Sequence, residues 1–289
     1  MSEPFIGSEA VAAGDVTKNA LRRYYTRLFP DVYIAPNAEP TAQQLALAGW
    51  LWSGRKAVVA GRSAAALHGA LWIDPGVPVD LLHENRNRVS GVSVRGDRLG
   101  DNEIQLIAGM AVTTPLRTAL DLACWYPRRM ALPHLDALAR ATAFDAAEAA
   151  ALAERYPGRR GIRRARESLH LVDAGSQSPK ETWLRLLLIE AGLPRPQTQI
   201  PVYDQSGDLV GYLDMGWEDI KVAAEYDGEQ HRTDRFQYSR DVRRHAALER
   251  LGWIVIRVLA GDRPADVIGQ VRAAIARRTS LQSYIRRSA

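Results

Sequence analysis

The chain has 289 residues, 46% of them hydrophobic and 25% charged, enough for two or three domains that each bury a core. A net charge of +5, carried almost wholly by arginine (the only lysines are Lys18, Lys56, Lys180 and Lys221), leans toward an anionic partner such as nucleic acid. Cys124 is the only cysteine, which excludes an internal disulfide and argues against a thiolate zinc site. No apolar run reaches the roughly 18 to 20 residues of a membrane span, and the first residues lack a basic-then-apolar leader pattern. A cytosolic protein without a membrane partner is expected.

Residues 7–36 read as a small helical unit ending in a strand. Ser8 is placed to cap a first helix that Gly14 closes, Thr17 starts a second, and Leu28–Ala35 reads as a short strand. Two short helices and a strand suggest a winged-helix or helix-turn-helix module over residues 1–40. Arg22, Arg23 and Arg27 can then lie against DNA; a solvated arginine face fits the same residues. A mixed α/β domain is expected over residues 41–175. It opens with a helix over Thr41–Ser53, a strand over Val58–Ala60 and a helix over Ala64–Gly69. Short strands follow over Val79–Leu82, Val89–Arg95, Glu103–Ile107 and Met110–Val112. Thr113 or Thr114 caps a helix with Pro115 near its first position, and Asp121 on that helix suits a cap or a salt bridge. Further helices cover Leu132–Thr142, Ala146–Arg155 and Ile162–Val172. Arg159, Arg160, Arg163, Arg164 and Arg166 form a basic cluster that fits either phosphate contact or a linker face. The small, polar stretch Asp173–Pro179 marks a domain boundary.

Residues 176–289 form the last domain. Ser178 caps a helix over Pro179–Ala191, with Glu181 in its first turn. Gln197–Tyr203 is a strand, Asp204–Asp208 a hairpin turn, and Val210–Met215 and Ile220–Tyr226 are two apolar strands joined by a polar turn. A long helix covers Thr233–Leu251, a strand Trp253–Leu259 and a last helix Pro264–Arg278. The class is therefore α/β in its element order and α+β overall, with a central mixed sheet in the last domain.

The acids of this domain are concentrated. Asp214 ends one strand, and Glu225 and Asp227 end the next, two residues apart. Residues i and i+2 share a strand face, so the latter two carboxylates point the same way, and hairpin pairing brings Asp214 beside them. Taken singly, each fits a strand end facing solvent. Glu225, however, follows the apolar run Val222-Ala-Ala, where a carboxylate needs a partner. Clustered carboxylates are best tolerated around a cation, and hard oxygen donors with room for water suit Mg²⁺ or Mn²⁺. Gly228 turns the chain sharply, and His231 follows within reach. Arg240, Arg243, Arg244 and Arg257 can hold phosphates bidentately; Arg240 and Arg244 share one helical face.

The pieces Ser178-Pro-Lys-Glu-Thr-Trp-Leu-Arg185, Leu213-Asp214, Glu225-Tyr-Asp-Gly-Glu-Gln-His231, Asp241-Val-Arg-Arg244 and Leu251-Gly-Trp-Ile-Val-Ile-Arg257 occur in that order. Together, over roughly residues 176–280, they resemble the PD-(D/E)xK restriction-endonuclease-like superfamily, nearest to its very-short-patch-repair-like branch. The resemblance implies an αβββαβ nuclease fold, Asp214 and Glu225 as the metal-binding pair and Glu181 as an assisting helix acid. The superfamily's usual lysine position is Asp227 here. The branch commonly has an acid there with a histidine nearby, which implies that His231 positions or deprotonates the water. Residues near Gly14–Ala35, Gly61-Arg-Ser-Ala-Ala-Ala-Leu-His-Gly69 and Val112-Thr-Thr-Pro-Leu-Arg-Thr-Ala-Leu-Asp121 resemble AbiEi-type antitoxin and transcriptional-regulator proteins over about residues 5–125. That likeness implies an N-terminal winged helix that binds DNA.

The expectation is a metal-dependent DNA endonuclease with a DNA-binding front end, acting in defence or repair. A non-catalytic regulator or antitoxin with a toxin partner, its last domain a retired nuclease fold, is the alternative, and an RNA-directed nuclease a third reading. Double-strand cutting would favour a homodimer.

Overall fold

A computed structural model describes residues 3–84, 89–228 and 235–288, with the side chains of residues 235–240 and 281–288 outside that description. The chain divides into two compact units, Met1–Ala174 and Gly175–Ala289. Both mix helix and sheet, an α+β class overall. No described helix is long and apolar enough to cross a membrane.

In the first unit, β1 (Phe5–Ile6), β2 (Thr26–Phe29) and β3 (Val32–Ile34) form a small sheet in the order β1-β3-β2, beside α1 (Gly7–Ala13) and α2 (Lys18–Tyr24). The chain from Leu28 to Ala35 is the end of β2, a turn and β3 rather than one strand, because Asp31 takes a left-handed φ of 60° between them. Asp31 also does the capping expected of Ser8. Its backbone carbonyl accepts from Gly7 N at 2.8 Å, and its carboxylate from Ser8 N at 3.0 Å and Ser8 Oγ at 2.5 Å. Thr17 does cap α2, accepting from Ala20 N at 3.1 Å.

A capping box of Thr41 and Gln44 starts α3 (Ala42–Trp52). Beyond it, β4 (Val58–Val59), β5 (Val79–Leu82), β6 (Val92–Arg95), β7 (Ile104–Ile107) and β8 (Met110–Thr113) form a five-stranded mixed sheet in the order β6-β5-β4-β8-β7. The short helix α4 (Gly61–Leu67) follows β4. Val59, Leu81 and Val112 of the sheet, Ala46 and Leu51 of α3, and Phe29 and Val32 of the first sheet share one core. The first forty residues thus bury their apolar side chains together with those that follow. Helices α5 (Pro115–Trp125), α6 (Arg128–Thr142), α7 (Ala146–Glu154) and α8 (Ile162–Leu169) complete the unit.

A buried ionic network ties these helices to the sheet. Arg117 of α5 is fully buried and donates to Asp121 at 2.8 Å, to Arg98 O at 2.7 Å and to Glu103. Tyr156 donates to Glu103 at 2.6 Å, and Arg159 to Asp121 at 2.5 Å. Two members of the basic cluster at residues 159–166 therefore turn inward: Arg159 into this network and Arg164 onto the carbonyl of Cys124 at 2.6 Å. Burial pushes the Cys124 thiol up to about 11, which leaves it inert.

The second unit runs α9 (Pro179–Glu190), β9 (Gln197–Tyr203), β10 (Leu209–Trp217), a 3₁₀ turn (Glu218–Ile220), β11 (Val222–Asp227), α10 (Arg235–Arg250), β12 (Ile254–Leu259) and α11 (Pro264–Ser288). The sheet order is β12-β11-β10-β9; β11 and β12 are parallel, joined by α10, and the other neighbours antiparallel. Each sheet face carries its own core. Met215, Trp217, Val222, Ala224, Ile256 and Val258 pack with Leu184 and Leu188 of α9 and Val267 and Val271 of α11. Ile200, Val202, Leu213 and Ala223 pack on the other side with Leu248 of α10 and Trp253.

Candidate functional site

The strand alternation breaks phase where the acids lie. Leu213 faces α10, yet Met215 two residues later belongs to the opposite core, against the period of two that a regular strand keeps. Across from Asp214 on β9, between the pairs Leu213↔Ile200 and Met215↔Thr198, stands Gln199 with a left-handed φ of 50°. Among the described residues it is the one non-glycine residue within a strand to hold such a φ. On the other side, the β10–β11 ladder ends at Met215↔Ala224, and Tyr226 N donates instead to Asp214 Oδ2 at 2.8 Å. The Asp214 carboxylate takes the place of a backbone acceptor, which pins it to the strand bearing Glu225.

On β11, Glu225 and Asp227 face α10, opposite to Val222 and Ala224, which enter the other core. The parallel register sets Glu225 against Arg257 of β12. An open cleft of about 310 Å³ results, lined by Asp214, Glu225, Tyr226, Asp227 and Arg257 from the sheet and by Asp241, Arg244 and His245 from α10. Arg244 grips Glu225 with both terminal nitrogens, Nη1 to Oε2 at 3.2 Å and Nη2 to Oε1, and Nη2 also donates to Tyr212 O at 2.6 Å. Arg257 donates to Asp227.

Glu181, at the start of α9, is nearly buried at 9% exposure and is held from three directions. Its Oε2 accepts from Gln177 N at 2.9 Å and Gln199 Nε2 at 3.3 Å, and its Oε1 from Ser178 Oγ at 3.0 Å. Ser178 Oγ in turn accepts from Glu181 N at 3.2 Å, the helix cap expected from the sequence. Burial pushes the Asp214 carboxyl up to about 7; the charges of Glu181 and Glu225 add to the rise, and the Tyr226 N–H and Arg244 oppose it. Burial first and neighbouring carboxylates second thus favour the protonated form of Asp214.

Carboxylate oxygens are the donor type that Mg²⁺ and Mn²⁺ take. Asp214 and Glu225 offer oxygens only, in a site that disfavours a second negative charge. Arg244 meanwhile occupies both oxygens of Glu225. Among the described residues, no group of three or more His, Cys, Asp or Glu side chains is arranged to hold a metal ion.

Of the other residues singled out from the sequence, His231 lies outside the described residues, and Arg240 lies on α10 with its side chain outside them. Arg243 is exposed on α10. Arg22, Arg23 and Arg27 belong to the first unit, all exposed; Arg23 stacks over Tyr24 at 5.4 Å, and Arg27 donates to Phe29 O at 3.3 Å. The structure adds Gln177 and Gln199 beside Glu181, and Asp241 and His245 on the cleft wall. The 241/245 spacing, one helical turn, is the sequence signal that puts this aspartate and histidine on the face of Arg244.

No family profile matches the chain. A similarity to the crystal structure of the RV2827C protein from Mycobacterium tuberculosis covers 70% of this chain and 84% of that one, at 17% identity and a TM-score of 0.38. The chain is 31% identical over 259 residues, 87% of its own length and 91% of theirs, to two M. tuberculosis proteins. These are uncharacterized protein MT2308 of strain CDC 1551 / Oshkosh and uncharacterized protein Rv2248 of strain ATCC 25618 / H37Rv. At that identity and coverage, the chain belongs to the family of MT2308 and Rv2248.

Proposed function

We propose that the protein is a cytosolic, divalent-metal-dependent DNA endonuclease whose hydrolytic site is the cleft of the second unit. The observation that carries the reading is Asp214, set at a strand phase break beside Glu225 and Glu181, with its carboxyl lifted to about 7. Evenly compensated surface acids have no need of such an arrangement. The resemblance of residues 176–280 to PD-(D/E)xK nucleases supports the same assignment, and the likeness of the front half to AbiEi-type proteins supports DNA as the polymer.

In this reading, Asp214 and Glu225 would hold Mg²⁺ or Mn²⁺, which would supply neutralisation of phosphate charge and a more acidic water. Glu181, fixed by Ser178, Gln177 and Gln199, sets the field at Asp214. Arg257, half-exposed beside Asp227, reaches a phosphate at the mouth of the cleft. The resemblance gives the part of positioning or deprotonating the water to His231, and His245 lines the cleft wall. Arg22, Arg23 and Arg27 hold the duplex from the first unit.

One observation favours the regulator or antitoxin reading: Glu225 and Asp227 are already paired with Arg244 and Arg257. A retired site would be neutralised in this way. The deciding experiment incubates supercoiled plasmid and mismatched or branched duplexes with wild type, Asp214→Ala and Glu225→Ala in Mg²⁺ and Mn²⁺. Metal-dependent cutting by wild type, lost in both variants, is the expected outcome. DNA retained in a gel shift without cutting in either ion would favour the regulator, and preferential cutting of an RNA competitor would move the substrate from DNA to RNA.

A further inference from the structure

Arg244 is held at several points. Its stem crosses β10 over Gly211, where an added Cβ would lie 2.9 Å from its Nε and 3.4 Å from its Cδ. Its guanidinium is fixed by Tyr212 O at 2.6 Å and by both oxygens of Glu225. In this pose its fork covers both oxygens of Glu225, one acid of the Asp214–Glu225 pair.

We infer that Arg244 is an internal counter-ion for Glu225 that competes with the divalent cation and is freed for a substrate phosphate when the cation binds. The inference rests on the metal-binding reading given above. A guanidinium fork on a carboxylate and a divalent ion on the same carboxylate crowd the same two oxygens, and their positive charges repel. With an ion on Glu225, Arg244 would give up the fork, and its guanidinium would be free at the wall of a cleft open to a phosphodiester. Metal and polyanion then bind synergistically, each favouring the open state of Arg244. Without either, Arg244 keeps Glu225 neutralised.

The test measures Mn²⁺ binding by the full chain, from the electron paramagnetic resonance of the free ion, without nucleic acid. Arg244→Gln is expected to bind Mn²⁺ about tenfold tighter than wild type. Arg244→Lys keeps the charge but loses the fork, and is expected to bind about threefold tighter. Both gains should vanish in a Glu225→Gln background. Should Arg244→Gln fail to fold, judged by circular dichroism, the lysine variant decides alone. Equal or weaker binding by the folded Arg244 variants, while wild type still binds and Glu225→Gln does not, overturns the competition and leaves the metal site standing. A gain in Arg244→Gln with none in Arg244→Lys also overturns it, since a general charge effect then suffices. If wild type and Glu225→Gln are alike in failing to bind, the metal reading falls and takes this inference with it.

Discussion

At the scale of single residues, Asp214 makes a prediction whose sign is fixed. Its carboxyl titrates near 7 in the folded chain, against 3.8 in a free aspartate. The native state therefore holds the proton more tightly than the unfolded state, and stability falls as pH rises from about 4 through 7. Asp214→Asn keeps an oxygen acceptor for the Tyr226 N–H and removes the charge. It should raise the unfolding free energy of the second unit by about 2–4 kcal/mol at pH 8 and leave it nearly unchanged at pH 4, read from urea titrations at both values. A gain of the same size at both would mean that packing, not ionisation, is at work. Gln199 makes a second prediction. Its φ of 50° suits glycine and strains other residues. Gln199→Gly should therefore be more stable than Gln199→Ala by about 1 kcal/mol, the reverse of their usual order in a strand, while both lose the bond to Glu181. The acids Asp214, Glu225 and Asp227 were legible in the sequence because they fall within fourteen residues of one hairpin, the last two sharing a strand face by its period of two. Gln199 and the grip of Arg244 were not: they depend on a phase break between strands and on a helix crossing, neither of which leaves a local pattern.

Elements were mostly legible for the reason that their ends are written in short-range chemistry. Thr17, Thr41, Thr114 and Ser178 each accept a backbone N–H at the helix starts the sequence suggested. Ser178 does more than cap, since its hydroxyl also holds Glu181. Ser178→Ala should cost about 1 kcal/mol in the second unit, measured by denaturant titration. What short-range chemistry cannot show is where a charged side chain goes. The run of arginines at 159–166 reads as a basic face, yet Arg159 and Arg164 point inward, because α5 offers buried acceptors at Asp121 and Cys124 O. The network on Arg117 joins α5, the approach to β7 and the segment after α7. Removing one member strands its partners in a medium that cannot solvate them. Arg117→Met should destabilise the first unit by about 3–5 kcal/mol, and Tyr156→Phe by about 1 kcal/mol. If Arg117→Met matched wild type in a denaturant titration, the network would be neutral in stability, and its role would have to lie in specifying the packing of α5.

On the scale of the whole molecule, the two units differ in how they are built. The first spreads a core across two sheets and α3, and adds a buried ionic network to the apolar packing of its later helices. The second sandwiches one sheet between helices, with a separate core on each face and an open cleft lined by four acids and two arginines. Two cores around a four-stranded sheet satisfy what a domain of that length needs to fold alone. Residues 175–289 expressed by themselves should therefore unfold cooperatively, at the midpoint that the second unit shows in the full chain. They should also keep the full stabilisation by Asp214→Asn at pH 8, because every group that shifts Asp214 lies within them. Arg117→Met in the full chain should lower only the other transition. An isolated segment that failed to fold, or a pH 8 gain that disappeared with the first unit removed, would show that charges or packing from residues 1–174 reach the cleft. The site would then have to be understood as the property of both units together.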